Sequence, residues 1–362
     1  MNQYEKCVKD LLAAAGIAVN GQQRYEVEIK DQRFYERIVT QGHMGLGESY
    51  MDGWWECDAL DEFVHRVLSH HLEHRVRRDK HFLWIALTSK LFNRQNLSRA
   101  FQVGERHYNM GNDLFSAMLD RRMNYSCAIW EEGATLDEAQ ENKLERICQK
   151  LDLHPGMRVL DIGCGWGGFA RYATEKYNVR VCGMTVSKEQ YEWAKKSCAG
   201  LPVEILLQDY RQVSGVYDRV LSIGFFEHVG SKNYHTYMEL VKRCLDYGGI
   251  SFLQTIGANS ISQRTGSWTD KYIFPNGEIP SLGQLAESII PHFIIESWDN
   301  FGLHYDKTLM AWYDNFNGAW PGLKKNYSDR FYRMWRFYLL SSAGGFRSRF
   351  NHLWQIVMMP RR

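Results

Sequence analysis

From residue 158 onward, short apolar runs alternate with stretches whose apolar positions recur at helical spacing. The runs are Arg158 to Ile162, Val179 to Met184, Val203 to Gln208, Asp218 to Ile223 and Ile250 to Thr255. Helical spacing begins at Gly168, at Ser187 and over Tyr234 to Leu245. Strands and helices in this alternation predict a doubly wound, mostly parallel sheet covered on both faces. Two late runs, Phe293 to Ser297 and Trp354 to Met358, are expected to complete it as a final hairpin. A helix over Leu136 to Lys150 precedes the first strand. The earlier part of the chain reads differently. A helix from Tyr4 to Ala15 meets Gly16 as a C-cap, a short strand spans Val27 to Ile29, and a further helix starts near Asp61. Between the last two, GHMGLGESYMDGWW is read as a compact turn region. These changes divide the chain into a smaller, mainly helical domain over 1–99 and an α/β domain over 100–362.

The first apolar run ends in VLDIGCGWGG. Asp161, Gly163, Gly165 and Gly167 form the acidic-x-Gly-x-Gly-x-Gly pattern of S-adenosylmethionine-dependent methyltransferases of class I, a Rossmann-like, seven-stranded fold. Bare backbone at Gly163 and Gly165 approaches a ligand closely and tolerates positive φ, and Asp161 accepts hydrogen bonds from it. The same letters satisfy G-x-G-x-x-G through Gly163, Gly165 and Gly168. A nicotinamide dinucleotide, however, calls for an acid about 20 residues later to hold its ribose. Thr185 ends the next strand instead.

Composition narrows the possibilities. A net charge of +2 over 362 residues gives no general case for nucleic acid. The 8 cysteines lack paired Cys-x-x-Cys spacing, which suits reduced thiols in a cytoplasm and neither a disulfide framework nor a metal site. The N-terminus lacks a signal-peptide core, and no apolar run approaches the ~20 residues needed to span a bilayer. Lipid, if involved, is met from the side. The segment Leu72 to Phe92 sets Arg75, Arg77, Arg78, Lys80 and Lys90 around an aromatic-rich apolar face. It reads either as a peripheral contact with an anionic membrane or as an amphipathic helix packed on its own domain.

In an open α/β sheet, ligands bind beyond the carboxyl ends of the strands. Those ends carry the glycine turn, then Thr185 with Gln190 a turn onward, then Asp209 and Tyr210 for an adenine, and finally Glu227 with His228. The stretches NYSCAIW, VLDIGCGWGG, GFFEHVG, KYIFPNG and HYDKTLMAWY together resemble the mycolic-acid cyclopropane synthase family over essentially the whole chain, including the extra N-terminal domain of its phospholipid-acting members.

That resemblance implies an enzyme that transfers a methylene group from S-adenosylmethionine to the cis double bond of unsaturated phospholipid acyl chains. A carbocation forms and is deprotonated by bound bicarbonate. It further implies cofactor contacts at Tyr125, Ser126, Gly163, Gly165, Thr185 and Gln190, with Asp209 and Tyr210 on the adenine side. The bicarbonate positions are Cys127 and Ile256 through backbone, Glu227 through its carboxylate and Tyr305 through its phenol. Tyr272 and Phe274 are candidates for a wall facing the cation. Where the family usually has histidine at the end of the fifth strand, this chain has Gln254, which donates a hydrogen bond but cannot become cationic. A methyl-branched product or a small-molecule methyltransferase activity without ring closure is therefore the alternative. A homodimer, peripherally attached to the inner face of the membrane, is expected of the family.

Overall fold

The computed structural model describes residues 3–72, 111–259, 263–264 and 266–361. Residues 73–92 of the basic aromatic segment lie outside them. The N-terminal elements are α1 (Gln3–Ala13), β1 (Glu28–Ile29), α2 (Arg33–Met51), β2 (Trp55–Glu56) and α3 (Leu60–Ser69). The middle of the chain forms α4 (Asn112–Met118), α5 (Leu136–Lys150), β3 (Arg158–Ile162), α6 (Gly168–Tyr177), β4 (Arg180–Thr185), α7 (Lys188–Ser197), β5 (Val203–Leu207), β6 (Tyr217–Ile223), α8 (Tyr234–Cys244) and β7 (Leu245–Gly257). The last part holds β8 (Gln263–Arg264), α9 (Ser267–Tyr272), β9 (Glu278–Ile279), α10 (Leu282–Ile289), β10 (Phe293–Asn300), α11 (Gly302–Leu323), α12 (Asp329–Arg347) and β11 (His352–Pro360).

The main sheet has seven strands in the order β10-β11-β7-β6-β3-β4-β5. β7, β6, β3, β4 and β5 run parallel to one another, while β11 pairs antiparallel with both β7 and β10. Successive residues point to opposite faces, and both faces are covered. Leu160, Ile162, Val220 and Leu253 join one apolar cluster with Met238 and Val241 of α8. Val159, Val181, Leu221 and Phe252 join another with Ile147 of α5 and Phe169 of α6. Burial on both sides is why these strands read as nearly unbroken apolar runs. α5 starts at a capping box: Thr135 Oγ1 accepts from Glu138 N at 3.3 Å and Glu138 Oε2 accepts from Thr135 N at 2.8 Å. β10 and β11 pair as expected, but α11 and α12 intervene, so no tight hairpin joins them.

The chain forms two compact units that a single cut at residue 99 does not describe. One comprises the described residues of 1–93 and 265–274 together with 309–351; the other takes the described remainder, including the whole main sheet. Long-range packing causes the difference. In the first unit Arg333 of α12 donates to Glu56 Oε1 at 2.7 Å and lies over the Tyr50 ring at 4.4 Å, and Arg347 donates to Asp61 Oδ2 at 2.6 Å.

The glycine-rich segment expected to be a turn is instead helical. Residues 42–51 belong to α2, which kinks at Gly42 (φ 54°) and then continues. Gly47 serves close approach, because a Cβ there would lie 2.4 Å from the Trp268 ring. Tyr272 and Phe274 also belong to this first unit, where Tyr272 donates to Glu48 at 2.8 Å and Phe274 packs edge-on against Tyr338.

Candidate active site

The glycine turn links β3 to α6 at the carboxyl edge of the sheet. Gly163, Gly165 and Gly167 have φ of +84°, +57° and +84°, a region that L side chains enter only at a cost. The N–H groups of Gly163 and Cys164 both donate to Met184 O, at 3.0 and 2.9 Å, which ties the turn to the end of β4. A Cβ on Gly163 would fall 2.7 Å from Phe225. The turn therefore delivers bare backbone and the N-terminal end of α6 to a cleft, an arrangement suited to a polar ligand.

That cleft encloses about 1090 Å³ of space, part of it open to solvent. Of the expected cofactor residues, Tyr125, Ser126, Asp161, Gly163, Gly165, Thr185, Gln190 and Tyr210 line it. Thr185 Oγ1 donates to Gln190 Oε1 at 2.8 Å, so the two polar groups at the end of β4 are held together. Gly167 and Asp209 stand behind this lining. Gly167 packs toward Ala194 and Cys198. Asp209 caps its own short turn, and both of its carboxylate oxygens are taken by the Arg211 guanidinium at 2.7 Å.

The lining also contains His228, expected at the end of the fourth strand, and Asn124, Lys143, Trp166 and Phe225, which the sequence did not single out. Lys143 is fully buried on α5, and its Nζ donates to Asn124 Oδ1 at 3.2 Å and to Ser126 Oγ at 3.0 Å. Gln140, one turn earlier, donates to Ser126 O at 2.9 Å. These two polar residues fix the loop that carries Tyr125 and Ser126. Burial lowers Lys143 to about 8, opposed chiefly by the nearby Asp120 carboxylate. Burial likewise raises Asp161 to about 7, with Lys143 opposing.

The five expected anion positions do not line this cleft; contacts link Glu227, Gln254 and Ile256, and through Phe301 also Cys127, around the carboxyl end of β7. Glu227 is 9 % exposed, on a short 3-10 turn after β6, and its Oε1 accepts from Ile256 N at 2.6 Å. Its Oε2 is buried and has no hydrogen-bond partner among the described residues. Burial pushes its carboxyl up to about 7, against the lowering effect of backbone N–H groups and the Thr255 hydroxyl. Gln254 is fully buried, accepts from Gln355 Nε2 at 3.0 Å, and keeps its own Nε2 without a partner among the described residues.

Opposite Ile256 across the ladder stands Leu353, whose carbonyl accepts from Phe301 N at 2.8 Å. Cys127 Sγ lies 4.0 Å from the Phe301 carbonyl. Burial raises the Cys127 thiol well above its ordinary range, so it is neutral at physiological pH. The adjoining Ala128 N and Trp130 Nε1 donate to Thr308 Oγ1 at 3.1 and 2.9 Å. Half-buried Tyr305 stands one turn before Thr308 on α11. Two orphaned buried polar atoms, one acceptor and one donor, suit a small anion that carries a hydroxyl.

A glycine-rich turn between the first parallel strand and its helix, a cleft over the strand ends, and an antiparallel strand inserted at β11 define a class I S-adenosylmethionine-dependent methyltransferase. Known proteins place it further. Residues 95–356 match the family described as Mycolic acid cyclopropane synthetase, and the chain belongs to that family. It is 51 % identical over 357 residues to the cyclopropane-fatty-acyl-phospholipid synthase of Escherichia coli K12, covering 98 % of this chain and 93 % of that one. A probable fatty acid methyltransferase of Pseudomonas putida is 36 % identical over 264 residues, covering 69 % of this chain and 67 % of that one. Among solved structures, the cyclopropane synthase MmaA2 of Mycobacterium tuberculosis is 30 % identical with a TM-score of 0.68, covering 72 % of this chain and 98 % of that one. Mycolic acid cyclopropane synthase CmaA1 complexed with SAH and CTAB gives the same identity, coverage and score. The expected fold class, family and S-adenosylmethionine-dependent chemistry therefore hold.

Proposed function

We propose that this enzyme transfers a methylene group from S-adenosylmethionine to the cis double bond of phospholipid acyl chains, and that a bicarbonate ion held by Glu227 and Gln254 lets the ring close. The reading rests on one observation: two buried, unpartnered polar atoms, Glu227 Oε2 and Gln254 Nε2, on residues gathered at the end of β7. S-adenosylmethionine supplies a sulfonium-activated methyl group. Bicarbonate supplies a proton acceptor weak enough to coexist with that electrophile.

The chain's own residues position both. Tyr125, Ser126, Asp161, Gly163, Gly165, Thr185 and Gln190 would hold the cofactor, with Lys143 and Gln140 fixing the loop from below. Ionised Glu227 keeps Oε1 on Ile256 N–H and offers Oε2 to a hydroxyl, which sets the anion's orientation. Gln254 offers an N–H to another oxygen. The backbone of Cys127 and Ile256 and the Tyr305 phenol complete the proposed set. Because an alkene is a weak nucleophile, most of the acceleration comes from orientation and water exclusion. Removing dissolved bicarbonate from the assay is expected to slow ring formation, and adding it back is expected to restore the rate. A rate indifferent to bicarbonate contradicts the anion site.

The substrate chain sits in a bilayer, and among the described residues no helix is long and apolar enough to cross one. The proposal therefore includes peripheral attachment at the cytoplasmic face through the basic aromatic segment 72–92, doubled in a homodimer. Its support is the sequence, which interleaves cations and aromatic residues there. Charge reversal at Arg75, Arg77 and Arg78 should reduce co-sedimentation with anionic phospholipid vesicles while S-adenosylhomocysteine binding stays intact. Unchanged co-sedimentation rejects this contact.

A further inference from the structure

Gln254 is the inner end of a hydrogen-bonded chain that starts at a cation. Arg146 Nε on α5 donates to Gln355 Oε1 at 3.2 Å. Gln355 Nε2 then donates to Gln254 Oε1 at 3.0 Å. The two glutamines face each other across the β7–β11 ladder and both are fully buried. Arg146 is secured from outside: its Nη2 donates to Asp299 Oδ2 at 3.3 Å and its guanidinium lies 4.8 Å from the Phe301 ring centre.

The chain has a forced direction. A guanidinium donates and cannot accept, so Gln355 must turn its oxygen toward Arg146 and its nitrogen toward Gln254. Gln254 must then meet that nitrogen with its oxygen. Its own Nε2 is left as the free end, buried and without a partner among the described residues. A buried amide donor left in that state is costly unless a ligand or water meets it. Donation from a charged group also polarises each following bond in a low-dielectric interior.

We propose that Arg146 and Gln355 are positioning residues that lock Gln254 in its donor orientation and lend it the electrostatic character that a protonated side chain at this position would have. The inference rests on the bicarbonate reading above. It explains how an uncharged residue can serve at an anion site: the charge stands two hydrogen bonds away, fixed at the protein surface, and does not depend on the protonation of residue 254.

The test is the bicarbonate dependence of methylene transfer to unsaturated phospholipid vesicles, measured for the wild type, Gln355→Met and Arg146→Met. Arg146 is partly exposed, so its replacement tests the chain even if the core variant folds poorly. The bicarbonate concentration for half-maximal rate should rise about three- to tenfold, the worth of roughly one net hydrogen bond. The half-saturating S-adenosylmethionine concentration should not move. In a Gln254→His background, where residue 254 can carry its own proton, Arg146→Met should have little effect on that requirement. Variants with the wild-type bicarbonate requirement overturn the inference and leave the anion site standing. An equal shift in the Gln254→His background also overturns it, because the arginine then acts by some route other than the amide chain. A wild-type rate indifferent to bicarbonate removes the anion site, and the inference falls with it.

Discussion

Glu227→Ala should lower turnover by about 10²- to 10³-fold, the range typical of losing a group that aligns a proton-transfer partner. S-adenosylhomocysteine affinity should be unchanged, because Glu227 contacts the backbone of Ile256 and does not line the cofactor cleft. Steady-state rates with vesicle substrate and isothermal titration with S-adenosylhomocysteine separate the two quantities. A variant with near-wild-type turnover contradicts the site. The carboxyl's position at about 7 adds a pH signature. The proposed role needs the ionised form, so at a fixed bicarbonate concentration the wild-type rate should fall as pH drops through about 7, and the fall should be smaller in Glu227→Gln. The effect on folding has the opposite sense. A carboxyl whose folded pKa is raised stabilises the fold on the acid side, and that contribution is lost as pH rises from its ordinary 4.5 through about 7. A stability curve that improves across that interval because of Glu227 would contradict its desolvation.

Lys143→Met should destabilise the protein by about 3–5 kcal/mol, the usual cost of removing one partner from a buried charge cluster. The ammonium holds Asn124 Oδ1 and Ser126 Oγ and is the cation opposing the burial of Asp120 and Asp161. Methionine nearly matches its length but provides no donor, so two acceptors lose a partner and the carboxyls lose a countercharge. Denaturant unfolding measures the loss, and S-adenosylhomocysteine binding should weaken as the loop around Tyr125 loosens. Adding Asp161→Asn should return part of the stability, since one of the two stranded carboxyls is then gone and the two sites are coupled. A loss below about 1 kcal/mol would place Lys143 among ordinary packing residues.

The sheet was legible because its parallel strands are buried on both faces. Residues 158–162, 218–223 and 250–255 therefore show apolar runs with helical spacing between them, and the glycine turn marks a strand end that needs bare backbone. Thr185, Gln190 and Tyr210, which line the cleft, followed from counting strand ends.

Other features had no local signature. Gly45 and Gly47 have the composition of a turn, but they lie inside a helix, where Gly47 makes room for Trp268; nothing near residue 47 announces a partner at residue 268. Residues 309–351 join the N-terminal elements through arginines whose targets are more than 250 positions away. Gln140 and Lys143 look like the solvated side of α5, since burial of a polar side chain depends on partners such as Ser126 and Asn124 that the helix period does not reveal. Gln355 did leave a trace: it is a lone amide inside the apolar run LWQIVMM, a place where a polar group needs a dedicated partner.

Ring closure is the central claim, and product analysis addresses it most directly. Purified enzyme, vesicles of a cis-monounsaturated phospholipid, labelled S-adenosylmethionine and bicarbonate are incubated together, and the acyl chains are then examined by mass and for remaining double bonds. The account predicts chains heavier by one methylene with the double bond gone. The same mass gain with the double bond retained would make the product methyl-branched and would contradict the role assigned to the Glu227–Gln254 site.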